Sequence, residues 1–220
     1  MHFQFLIEDR SGAELINILM EKIINGREEI TFNCKSFKGI GGFTKKNTAH
    51  KTKTGCLLND LATYLRGFNK SLQGFPSAII VVLDNDTRDP QDFHTELENV
   101  ASANDITLDH VFCIAVEEME AWLLGDEAAL ISAYPSAKRQ VLQGYIQDSI
   151  CGTWEKLADA VYPGGLVKMK KECPTFAEIG KQKREWAKRI GAFMDLDRNQ
   201  SHSFQIFLNA IQERIPVIAS

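Results

Sequence analysis

Five cysteines stand singly at Cys34, Cys56, Cys113, Cys151 and Cys173, with no CxxC pair among them. That spacing excludes a zinc ribbon and signals no disulfide framework. No apolar run approaches the ~20 residues of a membrane span. The N-terminus lacks the basic-then-apolar order of a secretory signal, so the expectation is a cytoplasmic protein with no membrane partner. No glycine-rich loop is followed by GK[ST], so the sequence has no Walker A site for ATP. Internal repeats and low-complexity tracts are also missing. What remains, 44% hydrophobic and 25% charged over 220 residues, suffices for one core, alone or with a smaller appendage.

The net charge of −4 conceals a segregation. From Asp84 to Leu130 there are thirteen acids and one base, Arg88. Lys35–Lys53 carries six lysines and no acid, and Leu166–Ile190 carries eight bases against three acids. An acidic centre between basic segments suits a metal site that also holds a polyanion. The same lysines suit an ordinary solvated surface, and Leu166–Ile190 reads as an exposed helix either way.

The richest stretch is AIIVVLDND, residues 78–86. It is an apolar run ending in two aspartates at the point where a buried strand leaves its sheet. Alternation along a strand puts Asp84 and Asp86 on the same side. Two carboxylates ~4 Å apart repel by about 1 kcal/mol in water and about 4 near a protein surface, which calls for a proton or a cation; Mg²⁺ is the simplest hard cation for such oxygens. The plainer alternative is that both aspartates solvate a turn while Asp89 caps the helix opened by Pro90.

The order along the chain supports a sheet. Phe3-Gln4-Phe5-Leu6-Ile7 alternates as a first strand ending at Glu8. Ser11 and Glu14 form an S-x-x-E capping box ahead of a helix marked by Leu15, Ile18, Leu19 and Ile23. Ile30–Cys34 is a second strand, Leu57, Leu58, Leu61 and Leu65 mark a second helix, and 78–84 is a strand buried on both faces. A third helix follows Pro90, and Val111–Val116 is a fourth strand running into Glu117–Glu120. This β-α-β-α-β-α-β-α order predicts an α/β fold with a small parallel sheet flanked by helices over residues 1–134. Residues 135–220 predict a helical appendage, with helices over 136–160, 175–194 and 204–215. In parallel sheets ligands bind beyond the carboxyl ends of the strands. Glu8, Asp84, Asp86 and the glutamates after Val116 all lie there. If Glu117–Glu120 is already helix, Glu117 and Glu120 share a face; if the strand continues, Glu118 and Glu120 do. Trp122 and Trp186 fit a core between sheet and appendage.

LIEDRSGAEL, VVLDNDTRD, IAVEEMEAWLLGD and NQSHSFQIF resemble the Toprim-like family DUF4276 over nearly the whole chain. The pattern of acids resembles the Toprim domain shared by topoisomerases, bacterial primases and the nucleases of the overcoming-lysogenization-defect family. By that resemblance Glu8 takes the Toprim glutamate's place, Asp84 and Asp86 are the DxD, and Glu120 is the final glutamate. Glu118 falls where those nucleases often carry serine, and Gly39 or Gly42 matches a glycine after the second strand. Asp9 and Gly12 depart from the pattern E-G-x-T-[ED], so Glu14 or Glu118 must supply an oxygen for a second metal. The resemblance implies a Mg²⁺- or Mn²⁺-dependent nuclease acting on DNA or RNA. It also implies a separately encoded ATPase partner and a role in defence against phage or plasmids. Glu8, Asp84, Asp86 and Glu120 would be catalytic, joined by Glu118 as a metal ligand. Lys45, Lys46, Lys51 and Lys53, or Lys168, Lys170 and Lys171, would hold the nucleic-acid backbone. Two alternatives stand beside it. One is a phosphatase of the haloacid-dehalogenase type, whose D-x-D-x-[TV] signature is imperfect here because Thr87 comes one place early. The other is a non-catalytic subunit.

Overall fold

The computed structural model describes residues 1–43 and 55–216. Alternating Phe3, Phe5 and Ile7 form one buried face of β1 (His2–Ile7), which runs through the middle of the sheet. It pairs in parallel with β2 (Thr31–Ser36) on one side and with β3 (Ser77–Asp84) on the other. β3 in turn pairs in parallel with β4 (Asp109–Ala115), giving the order β2-β1-β3-β4. The β-branched run of β3 is buried up to Leu83, as a central strand covered on both faces requires.

The chain steps from β1 to β2 in one direction, then returns past β1 to β3 and on to β4. With crossovers of one hand, that reversal puts the connecting helices on opposite faces. Accordingly α1 (Arg10–Ile24) covers the face carrying Phe3, Phe5, Ile7, Ile80 and Val82. The helices α2 (Leu57–Ser71) and α3 (Pro90–Ser102) cover the face of Leu6, Ile79, Val81 and Leu83. Asp89 caps α3, accepting the Gln91 and Asp92 N–H groups, with Pro90 at the first helical position. The cap of α1 differs from the expected S-x-x-E box. Asp9, still extended at φ −141°, is the cap and accepts the Gly12 N–H at 2.7 Å. Ser11 is already helical, and its hydroxyl donates to the same carboxylate at 2.5 Å.

Past β4 come α4 (Glu120–Leu124), α5 (Glu127–Ala133), α6 (Arg139–Gln143), α7 (Thr153–Val161), α8 (Gly165–Glu172), α9 (Phe176–Phe193) and α10 (His202–Gln212). The helix expected over 136–160 is broken by an irregular stretch between α6 and α7, with Gly152 left-handed at φ +77°. The basic stretch 166–190, read as exposed helix, is two helices, the second of which is the one expected over 175–194. Pro174 disfavours a helical Cys173 before it, and Thr175 and Glu178 form a capping box that restarts the chain as α9.

α9 is not an exposed helix. Trp186, Ala187, Ile190 and Gly191 are buried and pack on α1. A Cβ on Gly191 would stand 3.1 Å from a Leu15 methyl, so glycine sets the closeness of that contact. Lys22 closes the end of α9 by donating to the Ala192 and Met194 carbonyls at 2.9 and 2.6 Å. Trp122, Phe204 and Phe207 stack with centroids 5.0–6.2 Å apart, and the Trp122 indole N–H donates to the Ser203 hydroxyl. The C-terminal helices therefore share one hydrophobic cluster with a face of the sheet.

Candidate functional site

β1 and β3 are neighbours whose following segments leave in opposite directions, so the crevice of the sheet opens beyond their carboxyl ends. Glu8 follows β1 and Asp84 closes β3. The two are tied through the backbone, since Glu8 Oε2 accepts the Asp84 N–H at 3.1 Å and the Glu8 N–H donates to the Val82 carbonyl. Gly39 closes over the same strand end, donating its N–H to the Glu8 carbonyl at 3.0 Å from a left-handed φ of +95° that disfavours any side chain. Asp84 reaches across to the segment after β4, where its Oδ1 accepts the Met119 N–H at 2.9 Å.

That segment is neither strand nor helix. β4 ends at Ala115, α4 begins at Glu120, and Glu117 between them is left-handed at φ +60°. The turn divides the three glutamates. Glu117 points away and accepts the N–H groups of Cys151, Gly152 and Thr153 and the Thr153 hydroxyl, capping α7, which has no side-chain cap of its own. Glu118 and Glu120 point together towards α9. Lys183 Nζ lies 3.0 Å from Glu120 Oε2 and 3.5 Å from Glu118 Oε1. The other Glu118 oxygen accepts the Trp154 N–H at 3.2 Å.

Four carboxylates thus face one ammonium. Burial pushes Glu8 up to about 7 against the pull of the Asp84 N–H, with Asp86 and Asp9 adding to the rise. Burial and then the charge of Glu120 push Glu118 up to about 8. Asp84 is raised well above the carboxylate range by burial and by Glu8, and Glu120 is raised by burial in spite of Lys183. Burial works to lower Lys183, but Glu120, Glu118 and Asp84 outweigh it and keep the ammonium charged. Burial therefore holds protons on this cluster near neutrality, and Lys183 offsets it only in part.

Asp86 lies beyond the strand, at the margin of the cluster, where its charge still acts on Glu8. The strand stops at Asp84, Asp86 is left-handed at φ +51°, and its exposed carboxylate pairs with Arg88 at 3.0 Å. Buried Asn85 fixes this turn, donating to the Arg88 carbonyl and accepting the Glu117 N–H. Lys168 and Lys170 are exposed and pair with Glu172 and Glu155, each at 3.6 Å, and Lys170 also lies over the Trp154 ring. Lys171 is exposed. Lys45, Lys46, Lys51 and Lys53 lie outside the described residues. Lys183 escaped notice in the sequence as one base in a basic helix. Its signal was its place on the stripe of Ile179, Trp186, Ala187 and Ile190, at spacings that turn it inward.

The donor set is all oxygen and suits a hard divalent cation in its chemistry. As placed, with Lys183 between Glu118 and Glu120, no group of three or more His, Cys, Asp or Glu among the described residues is arranged to hold a metal.

A family model described as Domain of unknown function (DUF4276) matches residues 7–212. The chain belongs to that family. No curated protein and no solved structure matches it. In this DUF4276 chain the stretch EMEAWLLGD serves two purposes. Glu118 and Glu120 enter the acidic cluster. Further on, a Cβ on Gly125 would stand 2.1 Å from the Asn199 side-chain oxygen, and Asn199 donates to the Trp122 carbonyl at 2.7 Å. Asp126, 1% exposed, takes both arms of Arg198 and the N–H groups of Ala129 and Asp195. The late motif is thus the partner that locks α4 and α5 in place. Among the described residues no helix is long and apolar enough to cross a membrane.

Proposed function

We propose that the protein is a divalent-cation-dependent phosphodiester hydrolase of Toprim type acting on nucleic acid. The observation that carries this reading is the meeting of Glu8, Asp84, Glu118 and Glu120 at the switch point of a parallel sheet, with too little positive charge to ionise them all. Those four carboxylates are the residues that would hold Mg²⁺ or Mn²⁺. A bound cation of this kind supplies Lewis-acid stabilisation of charge on phosphoryl oxygens.

The protein's own groups do the rest. Glu8 Oε2 is engaged by the Asp84 N–H, which fixes the carboxylate and leaves Oε1 for the cation or, in the alternative role, for a proton. Asp84, held by the Met119 N–H, and Glu120, held by Lys183, are fixed in orientation before any ligand arrives. DNA or RNA as substrate, a separately encoded ATPase partner and a role in defence rest on the resemblance to the nucleases of the overcoming-lysogenization-defect family.

The test is nicking of supercoiled plasmid and cleavage of labelled RNA in Mg²⁺ or Mn²⁺, with Asp84→Asn and Glu120→Gln as controls. Cleavage by the unsubstituted chain that both variants lose is expected. Cleavage that survives both would place the activity elsewhere. A second reading, a non-catalytic subunit, is favoured by one observation: Lys183 and Arg88 already engage Glu118, Glu120 and Asp86. Under that reading Mn²⁺ leaves the melting temperature unchanged. The phosphatase reading needs Asp86 as an acid beside Asp84, and the pairing of Asp86 with Arg88 argues against it.

A further inference from the structure

We infer that Lys183 is the resident cation of the carboxylate cluster, the ammonium that a divalent ion must displace, and hence the residue that sets how tightly the site takes Mg²⁺ or Mn²⁺. The inference rests on the metal-dependent reading above and adds to it what governs cation entry.

Lys183 Nζ stands between the two glutamates that come from the end of β4, 3.0 Å from Glu120 and 3.5 Å from Glu118. An ammonium there competes with a metal twice over, because it occupies the oxygens and repels a second positive charge. Glu120 is 4% exposed and has no cation besides Lys183 among the described ion pairs. The lysine is not locked in. Its side chain keeps 15% of its exposure, and a four-carbon stem lets the ammonium swing out while the backbone stays. The backbone is held independently by Trp186, Ala187 and Ile190 against the core and by Lys22 at the end of α9. Displacement therefore requires only rotation of one side chain.

The experiment is calorimetric titration of the full chain with MnCl₂, comparing the unsubstituted protein, Lys183→Met and Lys183→Arg. Lys183→Met should bind Mn²⁺ more tightly by roughly tenfold or more, and Lys183→Arg, which keeps the charge, should show no such gain. A Lys183→Met affinity equal to or weaker than that of the unsubstituted protein overturns the inference and leaves the metal-dependent reading standing. Absence of binding by all three proteins removes that reading, and the inference with it. Because Lys183→Met leaves carboxylates without a cation and can fail to fold, a second measurement uses the unsubstituted chain. Reductive methylation of Lys183, read by peptide mass, should rise when Mg²⁺ is added. An unchanged extent at Mg²⁺ concentrations that raise the melting temperature shows that the ammonium stays in place and rejects the inference.

Discussion

Asp84 sits where the charge imbalance is greatest, with Glu8 bonded to its own N–H and Glu118 and Glu120 across the turn. Asp84→Asn keeps an oxygen for the Met119 N–H while removing one of the repelling charges. Thermal melts should therefore show an unchanged or slightly higher melting temperature without metal, and no rise when Mn²⁺ is added. Burial of these carboxylates fixes a pH dependence. Glu8 and Glu118 titrate at about 7 and about 8 in the folded chain against an ordinary value of 4.5. Between those limits the folded state holds protons that the unfolded state has lost. Stability from this source is complete below about pH 4.5 and is lost as pH rises through 7 and 8. At about 1.4 kcal/mol per pKa unit the loss is on the order of several kcal/mol. Urea denaturation from pH 5 to 9 in chelator should show the decline, and the double variant Glu8→Gln, Glu118→Gln should flatten it. Lys183, already charged throughout that window, does not change its sign. Sequence alone located Glu8, Asp84, Glu118 and Glu120 at strand ends, because apolar runs stop where a chain leaves its sheet. The turn at Asp86 was not legible, because the strand ends at Asp84 and side-chain alternation does not encode the left-handed backbone that follows.

Elements close here with groups supplied from far along the chain. The first N–H groups of α7 are satisfied by Glu117, more than thirty residues earlier. Glu117→Ala should cost about 1–3 kcal/mol by leaving those donors unpaired, while the Mn²⁺-induced rise in melting temperature remains. Loss of that rise would make Glu117 part of the cation site and the division of the three glutamates incorrect. Gly125→Ala puts a methyl into Asn199 and within 3.0 Å of the Ser201 nitrogen. Overpacking of that kind typically costs about 1–3 kcal/mol, measurable as a lower urea midpoint. The four strands and the first three helices were legible because each carries its own period. The C-terminal helices were less so. A capping box was visible at Ser11–Glu14 but displaced by Asp9, which fills the same role two residues earlier. The helix expected over 175–194 was legible and is α9, although the Thr175–Glu178 box that opens it was not singled out.

At the scale of the molecule, charge is sorted along the chain, with acids concentrated between Asp84 and Leu130 and bases in segments before and after. If Lys45, Lys46, Lys51 and Lys53 contact phosphates, replacing all four with alanine should reduce the slope of log affinity against log salt by roughly 0.7–0.9 per lost contact. Sequence preference should stay unchanged, since such contacts position without reading bases. Fluorescence anisotropy with single- and double-stranded oligonucleotides, in Ca²⁺ to suppress cleavage, gives both slopes. Equal slopes would assign those lysines to ordinary surface. The fold class was legible at this scale because a parallel sheet needs the alternating order of elements that the sequence displays. What local pattern could not give is that α9 folds back onto α1, since the Gly191 contact and the Lys22 closure are long-range. That return has a consequence in time. A ribosome delivers Glu8, Asp84, Glu118 and Glu120 well before Lys183, so during synthesis the acids exist without the ammonium that α9 brings. On the metal-dependent reading, whether the newborn edge is first closed by a divalent ion or by its own helix is decided while the chain is still being made.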